Sequence, residues 1–399
     1  MSPIVVKILS SIVSPILSFL ISFSPFTYFI SGKNVEISKT FDKIQYEEQL
    51  VPQLDKDGDW CFTTDEKFKI LQIADVHIGG GCFSLEKDKK AMNAVAAMVT
   101  AEKPDLVVFT GDATFPFLPY SGTCDNKISA EMFINMMESL GCYWAMCFGN
   151  HETEAYSYYD IDEVLKWYTD KNLKYCLFQD DSPEVDGHSN QLIKVKNSKG
   201  IITQGIILLD SHAYTDNDYF GLFHFYDYIH DNQIEWYKNQ IIKMDNENKS
   251  IDPQAELVKT LLFQHIPLEE YKTAWYEYKA NGYKDTENVQ YVYGKCGENN
   301  EAIECSKHDT QMFETILEMK STQGVFVGHD HMNNFSVIYK GVRLTYGMSI
   351  DYLAYIGLDK VPDQRGCTVI EVQPDGSFNC HQENYYQDKY VTRFPKEVL

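Results

Sequence analysis

Apolar residues along this chain follow two rhythms. Short, nearly unbroken runs bounded by Gly or polar residues read as buried strands. They are Lys69–Ala74, Leu106–Phe109, Tyr143–Phe148, Thr260–Phe263 and Gly324–Val327. Between them the apolar spacing turns helical. Ser84–Thr100 places Ala91, Ala94, Val95 and Met98 on one face, and Asn232–Met244 repeats Ile234, Tyr237, Ile241 and Ile242. Ser129–Ser139, Ile161–Asp170 and Asp309–Lys320 are further predicted helices, and Gln191–Val195 with Ile201–Leu209 predicts a hairpin. Val325–Val327, Phe335–Tyr339, Val342–Tyr346 and Cys367–Val372 are expected to pair in a second sheet. Residues 33–66 read as an acidic lead-in to the first strand. Glu269–Glu304, with Tyr271, Trp275, Tyr276, Tyr278 and Tyr283, reads as a long aromatic loop. A loop of that length is either a substrate wall or lid, or a locally packed surface segment.

Five polar clusters follow the five strand runs, three directly and two after one polar residue. They are Asp75-Val76-His77, Gly111-Asp112, Gly149-Asn150-His151-Glu152, His265 and Gly328-His329-Asp330-His331. Loops held at strand ends are where functional groups gather. The donors Asp75, His77, Asp112, Asn150, His265, His329 and His331 are hard or borderline oxygen and nitrogen ligands, which suit a pair of divalent or trivalent metal ions. Two such ions sit roughly 3.5–4 Å apart and need an anionic bridge, for which Asp112 is the candidate. A bridged water becomes a hydroxide nucleophile near neutral pH, and the ions clamp the oxygens of a phosphate ester.

Asp-x-His, Gly-Asp, Gly-Asn-His-Glu, His and Gly-His-x-His, in this order, resemble the calcineurin-like metallophosphoesterase signature. Three stretches resemble the purple-acid-phosphatase-like branch of plants and fungi: Phe68–Asp75 (FKILQIAD), His265–Glu270 (HIPLEE) and Gly324–Asn334 (GVFVGHDHMNN). The likeness runs from about Lys67 to Val372. It implies an α+β fold, a four-layer α/β/β/α sandwich of two mixed sheets flanked by helices. It implies that Asp75, His77 and His331 hold one metal, that Asn150, His265 and His329 hold the other, and that Asp112 bridges. His151 would not ligate but would assist the leaving-group oxygen. Where the family often carries a ligating or polar residue three positions after the bridging Asp, this chain has Phe115, which has no side-chain oxygen. A ferric–tyrosinate colour is not expected, and iron in the first site is in doubt. Asn333-Asn334 replaces a common Asn-Asp. The metals implied are Fe, Zn, Mn or Mg, and the substrate a phosphorylated small molecule or phosphoprotein. A phosphodiesterase acting on nucleotides or lipids is the alternative in the same class. A silent binding scaffold is the alternative outside it.

His212 stands at another strand end and, with Asp330 and Asn333, is a candidate for contact with substrate or with the ligands. His188, His224, His230, His308 and His381 read as surface or packing residues. Asn150 with Glu152 and Glu154 also suits a helix cap. Asp55, Asp57, Asp59 and Glu66 fall at four ligand positions of a calcium loop, but Trp60 occupies the position that needs Gly, so an acidic turn is preferred.

The 399 residues are 44% hydrophobic, enough for a sizeable core, and carry a net charge of −23. A surface this acidic excludes nucleic acid polymers as partners. Ile8–Ile30 is 23 residues without a charge. It divides the chain into residues 1–32, a signal peptide with cleavage near Ser31-Gly32 or a membrane anchor, and residues 33–399, the catalytic domain. Either places that domain in a secretory, lumenal or extracellular space. Ten cysteines agree, with Cys296–Cys305 and Cys367–Cys380 as candidate pairs and Cys142 and Cys147 as free thiols. Of two sequons, Asn334 abuts the metal loop and is expected to be buried, whereas Asn248 is expected to accept a glycan. Nothing in the sequence gives the oligomeric state.

Overall fold

Period-two alternation in the strands builds three apolar layers at once. In the computed structural model, residues 25–397 are described except 153, 181–183, 219–220, 309, 356 and 393. Among the described residues the first helix, α1 (Pro25–Ser38), precedes the short strands β1 (Gln53–Leu54) and β2 (Trp60–Thr63). Then follow β3 (Phe68–Ile73), α2 (Leu85–Glu102), β4 (Leu106–Thr110), the single turn α3 (Leu118–Ser121), α4 (Asn126–Leu140), β5 (Trp144–Cys147) and α5 (Ile161–Tyr168). The second half holds β6 (Gln191–Lys196), β7 (Ile202–Leu208), α6 (Asp231–Ile251), β8 (Lys259–Phe263), α7 (Glu269–Ala280) and β9 (Val289–Tyr293). It ends with α8 (Met312–Met319), β10 (Thr322–Val327), β11 (Ser336–Tyr339), β12 (Val342–Tyr346), β13 (Gly366–Val372) and β14 (Phe378–Asn384).

Two mixed sheets result. One has nine strands in the order β1-β2-β6-β7-β8-β10-β12-β11-β9; the other has five, β14-β13-β3-β4-β5. Leu106 and Val108 of β4 enter the core between the sheets with Leu261, Phe263 and Phe326, while Val107 and Phe109 face the opposite way. There they meet α2 and α4 through Val95, Met98, Phe133 and Met137. On the far side of the larger sheet, Ile234, Tyr237 and Ile241 of α6 and Phe313 and Ile316 of α8 cover Leu262, Val325 and Val327. This is the expected α/β/β/α sandwich. Side chains on both faces of β4 and β8 are buried, which is why those runs lack polar alternation.

Several expectations are corrected. Glu269–Glu304 is not a long loop: it contains α7 and β9, and Tyr271, Ala274, Trp275 and Tyr278 are buried at helical spacing. Cys367–Val372 is β13, which pairs antiparallel with β3 in the five-stranded sheet and not with β10–β12. None of the ten cysteines forms a disulfide. Cys367 lies opposite Glu383 and Cys380 opposite Ile370, so the two fall on different faces, one toward the helices and one between the sheets. Cys296 donates instead to the Ala302 carbonyl at 3.5 Å. Asn248 is buried in α6, accepting from Ile202 N at 2.7 Å and donating back to Ile202 O at 2.8 Å, so the amide expected to carry a glycan is occupied. Asn334 is buried, as expected.

The acidic turn is held by lysine. Asp55 accepts from the backbone of Asp57 and Asp59, and Lys194 Nζ lies 2.7 Å from both Asp55 and Asp59 carboxylates. The acidic lead-in also forms β1 and β2, ahead of the strand that the sequence marks as first. Residues 1–24 lie outside the described residues, and with them most of the uncharged run. The 32/33 division falls inside α1, where Ser31, Asn34 and Val35 are buried and Asn34 donates to the Leu85 carbonyl. Among the described residues no helix is long and apolar enough to cross a membrane.

Candidate functional site

Strands β3, β4 and β5 run parallel in one sheet and β8 and β10 parallel in the other. Their carboxyl ends meet at one edge of the sandwich, as expected for a site served by several strands. Gln72 ties the sheets together there, donating to Thr110 Oγ1 and to the Val327 carbonyl. The chain leaves the strands through backbone that side chains seldom adopt: φ is positive at Asp75, His77, Asp112 and His329. Gly111 has φ +80°, and a Cβ on it would lie 2.4 Å from His265 Nδ1; a Cβ on Gly149 would lie 2.2 Å from Asp112 Oδ1. Only glycine lets these segments come so close.

The structure brings all seven donors together. Asp75, His77, Asp112 and His331 form one group with ligand atoms within 4.8 Å of one another, and Asp112, His265 and His329 form a second. Asp112 belongs to both: its Oδ2 lies 3.6 Å from His77 Nε2 and 3.1 Å from His265 Nε2. Asn150 Oδ1 joins the second group at 3.2 Å from His265 Nε2. Each donor is buried. Both ring nitrogens of His77 are buried without a hydrogen-bond partner in the protein, a cost that a coordinated cation would remove. The outer nitrogens of other imidazoles are anchored: His265 Nδ1 on the Thr110 carbonyl at 2.8 Å and His331 Nδ1 on Asp351 at 3.1 Å. Such contacts leave the inner nitrogens for a ligand and fix the ring planes.

The charges suit cations. Burial opposes charge on His265, yet the Asp112 carboxylate holds it up at about 10; burial likewise opposes His331, which Asp75 and Asp351 hold at about 9. Burial pushes Asp75 up to about 6 and His77 down to about 3. For Asp112 burial is outweighed by His265 and His151, and its carboxyl is held well below the usual range. A buried anionic cluster that pulls protons onto its own imidazoles is a donor set fitted to metal ions.

Other groups surround the cluster. His151 points Nε2 toward Asp112 Oδ2 at 3.9 Å and Nδ1 to Glu154 Oε1 at 2.7 Å. Tyr214 accepts from Asn150 Nδ2 at 2.9 Å and donates to Glu154 at 3.3 Å. Glu152 accepts from the backbone N–H groups of Gly149, Asp112, Ala113 and Thr114. Among the described residues no helix starts at Asn150, so the capping role considered for Glu152 and Glu154 is replaced by these contacts. Phe115 packs its ring on His77 and His151. Of the candidates outside the seven, His212 turns away to Gln233 and stacks on His230. Asp330 and Asn333 turn from the cluster too: Asp330 accepts from Tyr346 and Glu304, and Asn333 accepts from Glu298 and donates to Ala302. Sequence reading missed Tyr214 and Asp351, and gave Glu152 and Glu154 a capping role only.

A two-sheet sandwich with a shared carboxylate between two buried Asp/His groups is the architecture of a metal-dependent phosphoesterase. The chain belongs to the calcineurin-like phosphoesterase family, which it matches over residues 68–333. It is similar to "Probable inactive purple acid phosphatase 14" of Arabidopsis thaliana, 30% identical over 336 residues, 78% of this chain and 77% of that one. "Probable inactive purple acid phosphatase 28" of the same plant is 26% identical over 74% of this chain and 73% of its own. "Phosphatase DCR2" of Saccharomyces cerevisiae is 27% identical over 68% of this chain, which spans only 45% of that protein. Among solved structures, a dimetal phosphatase from Danio rerio aligns at TM-score 0.47 and 11% identity over 80% of this chain and 99% of its own.

Proposed function

We propose that this chain is a dinuclear metal-dependent phosphohydrolase that cleaves phosphate monoesters of small molecules or proteins. The observation that carries the reading is Asp112, the one carboxylate common to both donor groups. Asp75, His77 and His331 would hold one ion with it, and Asn150, His265 and His329 the other. Bound ions would supply Lewis acidity: they draw charge from phosphoryl oxygens and make a hydroxide nucleophile available near neutral pH. The protein's own part is positioning. Glu152 and the left-handed turns fix the loops, and Asp351 and Thr110 orient imidazoles. His151, partly exposed and with its Nδ1 held by Glu154, would give a proton to the departing alkoxide.

The test combines elemental analysis with hydrolysis of para-nitrophenyl phosphate and its bis ester. Two ions per chain and preference for the monoester are expected, and Asp112→Ala should lose both metals and all turnover. Preference for the bis ester would make the protein a phosphodiesterase. Bound metal without turnover of either would leave a binding scaffold, the reading that the names of the plant relatives favour. We also propose a lumenal or extracellular catalytic domain. Its support is now the uncharged N-terminal run alone, because the cysteines form no disulfides. Full digestion of the domain by protease added outside sealed microsomes would refute it.

A further inference from the structure

The chain between β7 and α6 leaves the site as a narrow two-stranded neck. Tyr214 and Tyr226 pair across it, their rings stacked at 5.6 Å, and Thr215 N donates to Phe225 O at 2.9 Å. The neck is built onto the site: the Tyr214 hydroxyl bonds Asn150, and the Tyr226 ring meets the His329 ring edge-on at 4.5 Å. Hydrogen bonds also tie the described residues of the tip. Asp218, itself buried, accepts from Phe223 N at 2.9 Å and Phe225 N at 3.0 Å, and Gly221 turns the chain at φ +67°. This scaffold holds apolar side chains out into water: Leu222 is 73% exposed, Phe223 64% and Phe225 38%. The two phenyl rings stack on each other at 5.8 Å, and Lys307 Nζ lies 4.5 Å from the Phe225 ring.

A loop fixed by a buried carboxylate and still presenting Leu and Phe outward is an interaction surface, since solvent exposure of such side chains is unfavourable. Side chains this exposed project, and a projecting apolar tip suits insertion into the interface of a lipid layer, whereas a free small molecule needs a concave pocket. Lys307 suits the headgroup level. The overall charge of −23 selects a zwitterionic surface over an anionic one.

We propose that the Leu222–Phe225 tip seats the protein on a zwitterionic lipid surface and that its substrate is a lipid-borne phosphomonoester. The substrate half rests on the phosphomonoesterase reading above; the surface half stands without it. The test uses the full chain, with phosphatidylcholine vesicles carrying a few mole per cent of dodecyl phosphate, and a Leu222→Ser/Phe223→Ser double variant. The variant should lose about 10- to 100-fold in vesicle co-sedimentation and in turnover of dodecyl phosphate, the loss expected when two large apolar side chains leave the interface. Its rate on soluble para-nitrophenyl phosphate should be unchanged. Phosphatidylserine in the vesicles should weaken binding. Parent-level co-sedimentation and turnover in the variant overturn the proposal, as does equal efficiency of the parent on monomeric hexyl phosphate. If neither protein hydrolyses either ester, the site reading fails, and the co-sedimentation difference still decides the surface.

Discussion

Glu154 lies 2.7 Å from His151 Nδ1, and its other oxygen has no hydrogen-bond partner. Its carboxylate therefore holds one side of the ring so that Nε2 faces the cluster. Burial works against charge on His151, but Asp112 and Glu154 together raise its pKa and favour the proton-donating form. His151→Ala should keep its metals and lose about 10²–10⁴-fold on esters of poor leaving groups, the usual range for general acid catalysis. Glu154→Gln should lose less, about tenfold, and only on those same esters. Para-nitrophenyl phosphate needs no proton on its leaving group, so its rate should stay near the parent's. Equal losses on both ester types would mean that Glu154 acts by holding the fold. At this scale the donors were legible because their chemistry is local: Asp, Asn and His at strand ends declare what they bind. Glu154, Asp351 and Tyr214 were not, because their roles arise from contacts that folding creates. Tyr214 reaches Asn150 from 64 positions away.

Between elements, Glu152 does what the strands alone cannot. Its carboxylate gathers four backbone N–H groups from the turns after β4 and β5, and so locks the loop of Asp112 to the loop of Asn150. Burial, reinforced by Asp112, pushes its pKa up to about 7. Glu152→Ala would leave those donors buried and unpaired, at about 1–3 kcal/mol for each that water cannot reach. A fall in thermal midpoint together with weaker metal retention is expected; a fall in midpoint with metal affinity intact would separate the clamp from the site. The strands predicted from apolar runs lie within a residue or two of those observed, because an uninterrupted apolar run has few alternatives; β1, β2 and β9 were not predicted. α7 was missed, although Tyr271, Trp275 and Tyr278 repeat at helical spacing, because charged residues interleave them and no strong stop signal precedes Asn281. Trp275 stacks on Phe335 at 4.6 Å, so Trp275→Ala should destabilise by about 3–5 kcal/mol, measurable by chemical unfolding. The place of β13 was not legible either. A strand's partner depends on the whole topology, and the parity of register that separates Cys367 from Cys380 follows from that partner.

For the whole molecule, an acidic chain has concentrated buried carboxylates and imidazoles at one edge, and folding without cations forces protons to serve in their stead. The direction of the resulting pH dependence follows from the shifts. His331 and His265 titrate near 9 and 10 in the fold against about 6.5 when unfolded, so their contribution is complete below pH 6.5 and is lost as pH rises through the folded values. Asp330, pushed by burial up to about 8, is protonated in the fold where the unfolded chain would release the proton, and this too lowers stability as pH climbs toward 8. His77, neutral down to about 3, acts the other way, but only between pH 3 and 6.5. The chelator-treated protein should therefore lose thermal stability steadily from pH 7 to pH 10. Metal ions compete with those same protons for His265, His331 and Asp75, so their binding strengthens as protons leave. The rise in thermal midpoint on adding Zn²⁺ or Mn²⁺ should be larger at pH 8.5 than at pH 6.5. A rise equal at both, or larger at the lower pH, would mean that the ions bind elsewhere than among these histidines and carboxylates.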